Sequence, residues 1–224
     1  NLNIKMISTT IENYIKAIFY LGETATNVTV SAVAERMQNS PASVSDMLRR
    51  LYEKGLIEDK NTITLTDQGS FLAKQIIRKH RLWETFLVKT LDFKWDEVHS
   101  IAEQLEHVQS SLLTERLERF LEYPETDPHG DPIPDKDGNF PDLSIIPLSE
   151  AEPGKSYIFR SVATDAKDFL NHLDNKRLQL GQRWVIIEKE EFDGSVKLLV
   201  DNKNEVYLSE KVAKNLNICS GQLD

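Results

Sequence analysis

The stretch from Thr9 to Thr66 constrains this chain most, because three short helix-period segments and a strand pair fall in a span that supports only a shared core. Between residues 9 and 21, Ile11, Tyr14, Ile15, Ile18, Phe19 and Leu21 recur at helical spacing behind a threonine-rich start. Val30, Val33, Ala34 and Met37 form the apolar side of a second short helix. Asn39-Ser40-Pro41 then reads as a turn, with Ser40 as N-cap and Pro41 at the first helical position. The third helix is expected over about 41–54, with Val44, Met47, Leu48 and Leu51 inward and Gly55 as its stop. LIED and TITLT flank Lys60-Asn61, and Ile63 and Leu65 alternate with threonines as in a β-hairpin. Three helices followed by a hairpin make a winged helix-turn-helix.

The rest of the chain changes style twice. From Thr66 to about Leu91 the pattern is helical, with Phe71, Leu72, Ile76, Ile77, Leu82, Phe86 and Leu87 on one side, and two more helices fit 95–108 and 111–121. The segment from Tyr123 to Pro147 is rich in Pro, Asp and Gly, which predicts an ordered loop and a linker. Beyond it, SYIFRSV, WVIIEKE, VKLLVD and EVYLS are short strand patterns around one helix near 165–174, with turns at Gly181 and Asp193-Gly194. Five or so strands and one helix suggest a small SH3-like barrel. The expected fold is mostly α. A DNA-binding winged helix occupies 1–72, a helical dimerisation and metal-binding domain 73–143, a linker 144–154 and the SH3-like β-barrel 155–224.

Composition narrows the function. No window approaches the ~18 apolar residues of a membrane span, and NLNIKMISTTIENY lacks the basic and apolar regions of a signal peptide, so a cytoplasmic location without a membrane partner is expected. A single cysteine, Cys219, excludes a disulfide framework and a Cys-rich metal site. The net charge of −9 argues against nucleic acid only until its distribution is considered. Residues 1–80 carry +2, residues 81–154 carry −11 and residues 155–224 carry 0, which leaves the N-terminal third able to approach phosphates.

The acidic middle also holds the chemistry. His80 and Glu84 are four apart, and His99, Glu103, Glu106 and His107 follow within nine residues. At ~100° per residue these last four can share one helical face, opposite Val98, Ile101, Leu105 and Val108. Carboxylates crowded among imidazoles repel one another unless a cation sits between them, and a divalent metal meets that need. Oxygen and imidazole donors without thiolate suit Mn2+, Fe2+ or Zn2+, and the carboxylate richness leans toward Mn2+. The alternative is a set of His-Glu pairs on a solvated helix face. For DNA, Ser40, Pro41, Ser43, Ser45, Asp46, Arg49 and Arg50 surround the start and outer side of the third helix, where a recognition helix meets bases and phosphates. Asp46 suits such contact only if it accepts from a cytosine amino group. Ordinary surface arginines on a protein-binding winged helix are the rival reading. His129 and His172 read as structural hydrogen-bonding residues, and Cys219 as an incidental tail thiol.

TTIENYIKAIFYL, SPASVSDMLRRLYEKGLI, LTDQGSFLAKQIIRKHRLWETFL, DEVHSIAEQLEHV and DPHGDPIP together span about residues 8–134 and resemble the diphtheria toxin repressor family of metal-dependent regulators, in its manganese-transport-regulator branch. Residues 155–216 are similar to that family's C-terminal SH3-like, FeoA-type domain. The resemblance implies two metal positions per subunit. One would use His80, Glu84 and His99 with a carboxylate from the SH3-like domain, either Asp165 or Asp168. The other would use Glu103, Glu106 and His107 with Asn13 of the first helix. The iron-responsive branch has Cys in place of Glu103 and Met in place of Asn13, so Glu103 favours manganese. The manganese branch usually has Asp where Asn13 stands, and some of its members have Glu where Lys16 stands, so the second site has lost negative charge.

The resulting expectation is a homodimeric, metal-dependent repressor of metal-uptake genes on double-stranded operator DNA, in which metal sets the spacing of two recognition helices. Two other readings are open. One is a metal-binding helical enzyme, a di-metal hydrolase or oxidase, although a paired Glu-x-x-His motif is missing from the helix that holds His80. The other is a winged-helix regulator whose metal site has decayed, for which Asn13 is the hint.

Overall fold

A computed structural model describes residues 7–59 and 63–221. The chain divides into two compact units, one holding residues up to His80 with Glu103–Glu115 and Pro134–Phe140, the other Arg81–Ala102, Arg116–Ile133 and everything from Pro141 onward.

The first unit is built on helices α1 (Thr9–Thr24), α2 (Val30–Met37) and α3 (Pro41–Glu53), followed by the start of α4 (Asp67–Leu91). Each of the first three begins at a hydroxyl N-cap, because Ser8, Thr29 and Ser40 accept the backbone N–H of the residue three further on. Pro41 opens α3 at a position where a missing N–H costs nothing. Ile11, Tyr14, Ile15, Ile18, Val33, Val44, Met47, Leu48 and Leu51 close on one another as the core. The hairpin expected after α3 is reduced among the described residues to a single antiparallel bridge between Ile57 and Leu65, and the Lys60-Asn61 turn lies outside them. The 134–140 segment lies against α4, where Pro134 O accepts from Arg78 Nη1 at 2.8 Å and Lys136 O from Gln75 Nε2 at 3.1 Å.

The second unit contains the end of α4, α5 (His99–Leu105) up to Ala102, α6 (Ser111–Phe120) from Arg116 onward and a sheet. The sheet strands are β1 (Ile146–Pro147), β2 (Ser156–Val162), β3 (Arg183–Lys189), β4 (Val196–Val200), β5 (Asn204–Leu208) and β6 (Leu216–Ser220), with α7 (Lys167–Asn175) and α8 (Glu210–Ala213) between them. The order is β1-β6-β2-β3-β4-β5, with every neighbouring pair antiparallel. Phe159 stacks on Trp184 at 4.4 Å inside a core completed by Leu170, Leu173, Leu198, Leu216 and Ile218. This is the expected small antiparallel barrel, with β1 and β6 added to the strands read from sequence. The 144–154 stretch, expected as a linker, carries β1 and a 3-10 turn at Leu148–Glu150, and Leu148 and Ala151 are buried in the sheet core.

One helix differs in a way that matters for chemistry. The 95–108 pattern yields α5 over only His99–Leu105, since 95–98 form turns in which Glu97 Oε2 accepts the Lys94 N–H. Glu106 and His107 therefore lie past the helix end, and the four ionisable residues do not share one face. Glu103 is exposed while Glu106 is buried.

Candidate metal centre and DNA-facing helix

In the second unit, α4 delivers Glu84 into the interior, 2% exposed. His80 sits one turn earlier on the same helix. Three further groups gather around Glu84. His99, at the first position of α5, directs Nδ1 to Glu84 Oε1 at 3.4 Å and to Asp165 Oδ2 at 3.0 Å. His129 places Nδ1 3.7 Å from Glu84 Oε2 and 3.9 Å from Asp127 Oδ1. Glu84, Asp127 and His129 are all buried, and each offers a ligand atom within 4.8 Å of the other two. Metal–ligand bonds of ~2.1 Å put neighbouring donors about 3 Å apart, so the cluster needs little contraction to hold a divalent ion.

The loop that carries Asp127 and His129 is folded by its own sequence. Asp127 Oδ1 accepts the backbone N–H groups of His129 at 2.8 Å and Asp131 at 3.0 Å, an Asx turn. Gly130 has φ +85°, and a Cβ there would come within 1.9 Å of Arg160 O, so the loop can approach β2 only with glycine at this point. Arg81 holds the outside of the loop, with Nη1 bonded to Pro132 O and Nη2 3.3 Å from Asp131 Oδ2. His129 Nε2 lies 2.8 Å from Trp95 O, a carbonyl that can only accept, so Nε2 carries the proton and a neutral ring keeps its lone pair at Nδ1, facing Glu84.

Electrostatics follow from this crowding. Hydrogen bonds to Asp165 and then Glu84 raise the His99 pKa to about 10, against the opposing effect of burial. Burial alone would lower His129, but its bond to Glu84 and the charge of Asp127 outweigh it and raise the ring to about 9. Burial, with the charges of Asp131 and Glu84, pushes Asp127 up to about 7. The His99 bond holds Asp165 below the usual carboxylate range. Imidazolium protons thus occupy the place where a cation is wanted.

The geometry favours Asp165, whose Oδ2 lies 3.0 Å from His99 Nδ1, over Asp168 in the first turn of α7. The sequence reading did not include Asp127 and His129 in the candidate set, and the hydrogen bond of His129 to Trp95 O fits its reading as a structural residue as well. The available signal was DPHGDP itself, an aspartate poised for an Asx turn before a glycine that carries a histidine to the interior.

The second expected set lies in the first unit and is arranged differently. Lys16 Nζ contacts both Glu106 oxygens at 2.9 and 2.7 Å, and His80 Nδ1 lies 2.6 Å from Glu106 Oε2. His107 Nδ1 lies 2.5 Å from Glu12 Oε2, whose other oxygen accepts from Gln109 Nε2 at 2.6 Å. Asn13 and Glu103 line a cleft together with Lys16 and Arg36. Two cations and a neutral amide in that lining do not suit a divalent ion.

On α3, Ser40, Pro41, Ser43, Ser45, Asp46, Arg49 and Arg50 are all exposed, opposite the buried Val44, Met47, Leu48 and Leu51. Ser45 Oγ donates back to Pro41 O at 2.9 Å, and Asp46 Oδ1 lies 2.5 Å from Arg49 Nη2. Asp46 is thereby charge-matched by an arginine of the same helix. No helix among the described residues is long and apolar enough to cross a membrane.

Comparison with known proteins agrees with this layout. Models of the iron dependent repressor match at residues 6–62 for the N-terminal DNA binding domain and at 66–135 for the metal binding and dimerisation domain, and a FeoA domain matches at 146–218. The iron-dependent repressor IdeR of Mycobacterium bovis is 37% identical over 133 residues, 58% of this chain and 57% of that protein. The chain therefore aligns with little more than half the length of that relative. The diphtheria toxin repressor of Corynebacterium diphtheriae is 26% identical over 96% of this chain and 99% of its own length. A solved manganese-dependent transcriptional repressor in complex with manganese superposes with a TM-score of 0.86 at 34% identity, covering 94% of this chain and 99% of that one. A DNA-binding helical head, a helical middle and an antiparallel sheet domain thus recur in the same order over nearly the whole length, and the chain belongs to the diphtheria toxin repressor family, the iron-dependent repressors.

Proposed function

We propose that this protein is a metal-dependent transcriptional repressor whose regulatory ion is held by Glu84, His99, Asp165, Asp127 and His129. The observation that carries the reading is the buried carboxylate of Glu84 with imidazoles directed at both of its oxygens. Such a group belongs in an interior only beside a cation. The donor set is oxygen and nitrogen without sulfur, which suits Mn2+ and tolerates Fe2+ and Zn2+, and a structural relative is a manganese-dependent transcriptional repressor in complex with manganese. Another structural neighbour, ScaR, binds Cd2+, and it too is similar over 94% of this chain, at 34% identity.

Metal bound to these residues, drawn from α4, α5, the 127–131 loop and the segment before α7, fixes their mutual positions. In a homodimer this fixes how the two α3 helices are presented to successive major grooves of operator DNA. Ser40, Ser43, Arg49 and Arg50 supply contacts to phosphates and bases, with Asp46 aiming Arg49. The genes controlled are those of metal uptake, and by linkage the operator tightens metal binding as much as metal tightens operator binding.

Calorimetric titration of Mn2+, Fe2+ and Zn2+ into the wild type and into Glu84→Ala tests the site. The expected result is binding by the wild type that Glu84→Ala abolishes for all three ions. Equal binding by the two proteins would remove the site. The order of affinities does not name the physiological ion, since Zn2+ binds N/O sites more tightly than Mn2+ whatever the biology.

A further inference from the structure

The cluster at α1 departs from the two-metal scheme that the family resemblance implies. Glu106 is 1% exposed, and a carboxylate so deep requires a positive partner. Lys16 supplies it, one turn of α1 beyond Glu12, with its ammonium spanning both carboxylate oxygens at 2.9 and 2.7 Å. His80 adds a third contact to Glu106 at 2.6 Å. Glu12, 2% exposed, is matched by His107 at 2.5 Å and Gln109 at 2.6 Å. Both buried carboxylates are thus satisfied by the chain's own side chains. At Asn13 a neutral amide replaces the carboxylate that a second ion would need, and the cleft it shares with Glu103 is also lined by Lys16 and Arg36.

We infer that the Lys16 ammonium stands in for the second metal ion, so that α1 is held to the segment after α5 without metal and each subunit takes one regulatory ion. A metal at Glu106 would have to meet Lys16 at bonding distance from the same two oxygens, where repulsion between a divalent ion and an ammonium opposes its entry. The winged helix then has a permanent attachment to residues 106–109, and metal dependence resides entirely in the Glu84 cluster. The inference builds on the proposed metal-dependent function but makes its own claim about the cluster that metal does not occupy.

Equilibrium dialysis against Mn2+ with metal counting by mass spectrometry tests it on the full chain, with four proteins compared: wild type, Glu84→Ala, Asn13→Asp, and the double variant Asn13→Asp/Lys16→Met. The expected counts per subunit are one, zero, one and two. Two ions on the wild type would overturn the inference, and so would no gain in the double variant whose circular dichroism matches the wild type. A second ion gained by Asn13→Asp alone would also overturn it, since Lys16 would then not be the closing group. That single change leaves the Lys16–Glu106 pair in place, so it provides a reading even if the double variant fails to fold. A count of zero on the wild type, with one gained in the double variant, would sink the proposed function and with it the one-ion count, and leave standing the claim that Lys16 takes the place of the second ion.

Discussion

The carbonyl of His129 accepts the backbone N–H of Val162 at 3.0 Å, and this bond fastens the 127–131 loop to β2. It sets the depth at which the imidazole stands beside Glu84. The same approach brings Gly130 against Arg160 and Ser161, where a Cβ would lie 1.9 Å from one carbonyl oxygen. The position of the His129 imidazole therefore depends on a backbone contact made by residues outside the Glu84 cluster.

Gly130→Ala should displace the loop. The positive φ alone costs about 1–3 kcal/mol for a residue with a side chain, and the clash with β2 adds to it. Chemical denaturation of the metal-free protein should show the loss, and Mn2+ titration should show weakened binding. Wild-type values in both measurements would mean that the loop does not need this contact.

His129→Ala and Asp127→Asn should each weaken Mn2+ binding by about tenfold or more, with little change in the metal-free fold for the second. His172→Ala serves as the control, because His172 is exposed on α7. Equal affinities for all three variants would restrict the ligands to Glu84, His99 and Asp165.

The pH dependence has a definite sign. His99 and His129, raised to about 10 and about 9, are protonated at neutral pH in the metal-free protein. An ion that takes both nitrogens displaces both protons, so Mn2+ affinity should rise as pH rises from 6 to 8, by about tenfold per unit for each proton released. Proton release can be counted by calorimetry in buffers of different ionisation enthalpy. For the metal-free protein the sign reverses. Groups whose folded pKa exceeds the unfolded value bind more protons when folded, so their contribution is fully present below the unfolded pKa of ~6.5 and is lost as pH climbs through about 9 and 10. Asp127, raised to about 7, acts in the same direction between ~4 and 7. Saturating Mn2+ should remove this alkaline loss, and a loss of equal size in the loaded protein would count against ligation by the two histidines.

On α3, Arg49→Ala and Arg50→Ala should weaken DNA binding and each lower the slope of log affinity against log salt by about 1 if the contact is to phosphate. Asp46→Asn should weaken binding through a loosened Arg49, since their 2.5 Å pair orients the guanidinium. Fluorescence anisotropy over a salt series separates these cases, and an unchanged slope in both arginine variants would place the contacts elsewhere.

Local patterning made much of this architecture legible. The Ser40-Pro41 start of α3, the apolar stripes of α1 to α4 and the alternation in β2 to β5 are encoded within a few residues each, and they appear where the spacing puts them. The shortening of α5 was not legible, because Trp95 leaves a helical pattern to stack on His129 at 6.1 Å and to bond Asp174 at 3.1 Å, partners 34 and 79 residues away. The same limit applied to the site. His80-Glu84 and His99 were visible as spacing, whereas the approach of Asp127 and His129 to Glu84 arises from a loop packed on β2. The charge deficit at Asn13 and Lys16 could be read, but not that Lys16 reaches Glu106, 90 residues away in sequence.

The most direct measurement is anisotropy of a fluorescent operator, selected from random DNA by the Mn2+-loaded protein, titrated with wild type and Glu84→Ala in chelator and in Mn2+. The account predicts that Mn2+ tightens wild-type binding, by roughly 5–150-fold, and leaves Glu84→Ala at its chelator value. Wild-type affinity that is the same with and without metal, or a Glu84→Ala response equal to the wild type, would contradict it.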